Sequence, residues 1–120
     1  MNFTKTKVVI CLFPSKTGGR QSYILKEYSP NAVFGFDIKE LSELWDNNYF
    51  KYLKEDNNKV KNIGIKLLIG KKELYPGEVS KADMLINDSG KDYLGPRLLS
   101  SGSAFLIREG SKIIGTGKIL

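Results

Sequence analysis

The chain has 120 residues, 41% hydrophobic and 27% charged, the size and balance of one globular domain with its own core, which excludes disorder along most of its length. Nineteen Lys and Arg against thirteen Asp and Glu give a formal charge of +6, so a polyanion or an acidic protein surface is an admissible partner, as is a merely solvated surface. Histidine is absent and cysteine occurs once, which removes the commonest general base, any internal disulfide and the usual zinc and iron sites.

The first residues, Met1-Asn2-Phe3-Thr4-Lys5, lack the apolar stretch of a signal peptide, and no window reaches the roughly 18 apolar residues of a membrane helix. A soluble, cytoplasmic protein with no membrane partner is expected. The continuous apolar run from Lys7 to Phe13 predicts a strand buried on both faces or set in a barrel wall, with Cys11 as a buried structural thiol. Pro14 ends it. Ser15-Lys16-Thr17-Gly18-Gly19-Arg20-Gln21-Ser22 follows as an exposed loop, either a plain turn or one that aims backbone N–H groups at an anion with Arg20 beside them.

Short strands are predicted at Tyr23 to Leu25 and at Ala32 to Phe36, parted by Tyr28-Ser29-Pro30-Asn31, with Phe34 and Phe36 on a core face. The pattern then turns helical. Asp37 and Glu40 form a capping pair, and Ile38, Leu41, Leu44 and Trp45 recur at helical spacing. This predicts a short helical insertion over about 38–55. Its aromatics, Trp45, Tyr49 and Phe50, either cover an open end of the core or form a protein-contact surface.

From Lys61 the strand signal returns. Ile63, Ile65, Leu67 and Ile69 alternate with Gly64, Lys66, Leu68 and Gly70; Pro76-Gly77 marks a type II turn; Ala82, Met84 and Ile86 alternate in the next strand. Residues 87–91 read as a loop and 93–98 as irregular. The chain closes with two strands around Arg108-Glu109-Gly110, the second bearing Gly115 and Gly117 where packing is tight. Six or seven strands invite a closed barrel, which removes their edges.

Catalytic chemistry is not predicted. Gly115-Thr116-Gly117-Lys118 lacks the Ser or Thr and the following helix of a phosphate loop, and the carboxylates are dispersed. No metal, cofactor or small-molecule substrate is expected.

Four pieces share one order and spacing: Gly18-Gly19-Arg20, Tyr28-Ser29-Pro30-Asn31, Tyr75-Pro76-Gly77-Glu78, and Phe105-Leu106-Ile107-Arg108-Glu109-Gly110 with Ile114-Gly115-Thr116-Gly117. Together they resemble the C-terminal, third domain of translation elongation factor Tu, across almost the whole chain. The resemblance implies one domain over 1–120, a mainly β fold and a single six-stranded antiparallel closed barrel. It also implies contacts to a partner or to RNA through Gly18, Gly19, Arg20, Asn31, Glu109 and Gly110. Such groups suit a phosphate-sugar backbone read by shape. Ser29, Ser111 and Lys112 depart from the family pattern, and the nucleotide-binding domain and second barrel are missing. Two functions are therefore expected, both non-catalytic. The chain binds a specific protein, as an immunity protein neutralising a toxin or as an elongation-factor mimic; alternatively it contacts the backbone of tRNA.

Overall fold

The computed structural model describes residues 2–17, 19–35, 61–110 and 112–120. The predicted helical insertion over 38–55, with Trp45, Tyr49 and Phe50, lies outside them, as does Gly18.

Eight strands form one antiparallel sheet: β1 (Phe3–Leu12), β2 (Ile24–Tyr28), β3 (Asn31–Phe34), β4 (Lys61–Gly64), β5 (Lys66–Leu74), β6 (Val79–Asn87), β7 (Ala104–Glu109) and β8 (Lys112–Ile119). A helical segment, α1 (Asp88–Leu98), joins β6 to β7. The ladder runs β2-β5-β6-β1-β8-β7-β3-β4 and curls into a half-barrel. The expected mainly β, antiparallel architecture is present, but the six-stranded closed barrel is corrected to eight strands in an open ladder. The reason lies at two facing bends. Pro30, which has no N–H for a ladder, separates β2 from β3, and Ile65 separates β4 from β5. The Ile65 N–H donates to the Pro30 carbonyl at 3.0 Å. Each bend thus parts two consecutive strands, β2 from β3 and β4 from β5, and β2 and β4 are left as the ends of the ladder.

Strand alternation places Val8, Ile10 and Leu12 of β1, Leu67 and Ile69 of β5, and Ala82, Met84 and Ile86 of β6 in one core. β1 is buried on one face only. Val9 and Cys11 point the other way and are half-buried, so the cysteine is not the fully buried thiol expected from the apolar run. Phe34 and Phe105 stack with centroids 5.2 Å apart. A Cβ at Gly117 would sit 2.1 Å from the Phe105 ring, and one at Gly115 would sit 2.5 Å from the Cys11 carbonyl oxygen. The paired glycines of β8 are therefore packing residues.

Residues 88–98, expected as loop and irregular chain, form a kinked helical segment instead. The Asn87 side chain accepts a hydrogen bond from the Gly90 N–H at 2.7 Å, capping the segment. Leu94 enters the core and Leu98 packs against it, while Gly95, at φ 78°, kinks the segment before Pro96. Among the described residues, no helix is long and apolar enough to cross a membrane.

Candidate functional site

At the end of the half-barrel where β1 leaves the sheet, the loop before β2 meets the β7–β8 turn. Proline and glycine set the loop's path. Gly19 donates its N–H to the Pro14 carbonyl at 3.1 Å, and a Cβ there would lie 2.1 Å from the Phe13 carbonyl oxygen, so only glycine fits this approach. The Ser15 hydroxyl donates to the Arg20 carbonyl at 2.7 Å. With its backbone held on both sides, Arg20 is aimed across the gap.

Its guanidinium donates to Glu109 Oε2, and the Tyr28 hydroxyl donates to the same oxygen. Arg20 also donates from Nε to the Ser22 carbonyl at 3.2 Å and stands 5.7 Å from the centre of the Tyr28 ring. Lys112, across the hairpin from Glu109, donates to the Gly19 carbonyl at 3.0 Å. Burial and the Glu109 carboxylate hold the Tyr28 phenol well above the usual tyrosine range. It therefore remains a hydrogen-bond donor at neutral pH and cannot serve as a base. The cluster clamps a loop to a hairpin.

The predicted contacts divide accordingly. Arg20 and Glu109 come together but bind each other. Gly19 supplies the close approach, yet its N–H is used internally and is not turned toward an anion. Gly110 is exposed in the turn with φ 57°, outside the clamp. Asn31 pairs with Arg108, one residue before Glu109 on β7, so alternation sets it on the opposite face. Tyr28, Ser22 and Lys112 complete the cluster and were not singled out from sequence. The one available signal was Tyr28, within the Tyr-Ser-Pro-Asn piece.

Beside the clamp, a groove of about 420 Å³ is lined by Arg20, Ser22, Tyr23, Leu25, Glu27 and Tyr28. Leu25 is 60% exposed, Tyr23 40% and Tyr75 50%, and the two tyrosine rings tilt together at 5.2 Å. Three large apolar side chains thus stand in water at one edge of the sheet. No group of three His, Cys, Asp or Glu side chains among the described residues could hold a metal ion.

No family model and no curated protein matches this chain. Its function has to be argued from the surface itself.

Proposed function

We propose that this chain is a non-catalytic binding module whose partner is a protein, in the manner of an immunity protein on its toxin or of an elongation-factor mimic. The observation that carries this reading is the exposed Tyr23, Leu25 and Tyr75 group beside the Arg20 groove. Aromatic and aliphatic side chains at a sheet edge, next to a cation whose charge is already matched, suit the centre of a protein interface. They do not suit a phosphate backbone. A second reading, contact with tRNA, draws on the +6 charge and on the resemblance to elongation factor Tu. It requires Arg20 to leave Glu109.

Affinity capture from the native host separates the two. Wild type should retain a protein that the Leu25→Asp variant loses, with tRNA binding absent in titrations at low salt. Recovery of ribosomal and tRNA material alone, equally with both baits, would overturn the protein reading.

A further inference from the structure

We infer that the outer face of β5-β6-β1-β8 is a second docking surface, fitted to an acidic segment of a protein. Because Val8, Ile10 and Leu12 point into the core, Lys5, Lys7 and Val9 point outward. The register sets Lys81 of β6 and Lys118 of β8 on either side of Val9, and Asp83 opposite Lys7. Lys5 and, from β5, Lys66 flank Leu85. Adjacent strands lie about 4.8 Å apart and same-face residues along a strand about 6.8 Å. The ammonium groups therefore fall within about one Debye length of their neighbours, and their fields add.

Lys5, Lys7, Lys81 and Lys118 are all exposed, and none of them is in an ion pair among the described residues. Only Lys66 is matched, by Glu27 at 3.6 Å. A dent of about 180 Å³ opens between Lys7, Lys81, Asp83 and Leu120. Lys7 and Lys81 supply two ammonium groups to its lining, beside the Asp83 carboxylate.

The composition of the face favours polypeptide over nucleic acid. Its cations are lysines, without the guanidinium fork that grips phosphate in two places. Among the described residues no aromatic ring stands between the lysines to stack a base; Phe3, on the same face, lies beyond Lys5 at the start of β1. Instead Val9 and Leu85, both half-buried, are interleaved with the charges and offer apolar contacts that a protein segment can fill and a phosphate chain cannot. Charge complementarity and these aliphatic contacts point to Asp- or Glu-rich protein surface.

This surface meets the Tyr23 and Leu25 patch at the Lys66–Glu27 ion pair, but its unpaired lysines lie on β1, β6 and β8, so its test does not depend on that reading. The full chain is titrated at low salt against fluorescent poly-L-glutamate and against a short RNA duplex of equal charge, with binding read by anisotropy. Poly-L-glutamate should bind, more tightly than the duplex. The triple variant Lys7→Gln, Lys81→Gln and Lys118→Gln should bind it about ten-fold more weakly or worse. A charge-matched variant away from the face, Lys16→Gln, Lys26→Gln and Lys91→Gln, should change by less than about two-fold. Leu25→Asp should leave it unchanged, and circular dichroism reports that each variant folds. No binding by wild type, equal weakening in both triple variants, or tighter binding of the duplex would each overturn the assignment.

Discussion

Arg20 and Lys118 are both cations on a chain of net positive charge, yet their surroundings are opposite. Arg20 is half-buried, donating to Glu109 and lying over the Tyr28 ring; Lys118 is exposed, across Val9 from Lys81, with no carboxylate pairing it among the described residues. The difference follows from how each is delivered. A loop fixed by Gly19 and Ser15 carries Arg20 over a partly desolvated end of the sheet, where an unmatched charge is costly, so a carboxylate and a phenol meet it. An outward strand position leaves Lys118 in water, where nothing need match it. Formal charge alone does not show which cations a partner can reach. The clamp holds architecture; the lysine face remains available.

Breaking the clamp should give the largest effect. Glu109→Ala leaves the Arg20 guanidinium without its carboxylate and the Tyr28 hydroxyl without its acceptor. A loss of about 1–3 kcal/mol is expected, at the lower end because the Glu109 side chain keeps 35% exposure. At about 4–8 °C per kcal/mol for a domain near this size, thermal unfolding resolves it. If the melting temperature were unchanged, the clamp would carry no more weight than a surface ion pair, and the contrast with the lysine face would collapse.

Tyr28→Phe should be milder, about 1 kcal/mol, since Arg20 and Glu109 keep each other. The phenol also supplies a pH signature. The Tyr28 proton is held more tightly in the folded chain than in the unfolded one, whose tyrosines ionise near pH 10. Above that pH the unfolded chain has released a proton that native Tyr28 keeps, so this contribution to stability is complete below pH 10 and declines as pH rises further. Near pH 11, phenolate absorbance of folded wild type should equal that of folded Tyr28→Phe. An excess of one phenolate in wild type would mean that burial and the Glu109 carboxylate do not hold the Tyr28 proton.

How far the sequence reached differs between core and clamp. Ile65, Leu67 and Ile69, or Ala82, Met84 and Ile86, are core by alternation alone, because a strand's period is local. Pro76-Gly77 likewise turns as read, with Gly77 at φ 89°. That the ladder stays open, with eight strands, was not legible, since it depends on the Pro30 and Ile65 bends meeting across the fold. Residues 87–98 misled because Asn-Asp-Ser-Gly serves a helix cap as well as it serves a loop, and only Gly90 and Leu94 are buried. In the clamp, Arg20 and Glu109 each drew attention singly. Their pairing across 89 positions left no local trace, and Tyr28 was read as part of the connection between two strands, where the structure ends β2 with it.

The smallest expected effect is the most discriminating for the lysine face. Replacing Lys7, Lys81 and Lys118 by Gln removes three exposed charges that have no ion pair among the described residues, so stability by chemical denaturation should move by no more than about 0.5 kcal/mol. The variant removes the Lys81–Lys118 repulsion across Val9 and also the attraction between Lys7 and Asp83 opposite it, two small terms of opposite sign. Added salt should shrink any net change, since the charges lie in solvent. A loss of more than about 1 kcal/mol would place these side chains in the architecture. The lysine face would then stand with the clamp, as a set of cations already employed by the fold.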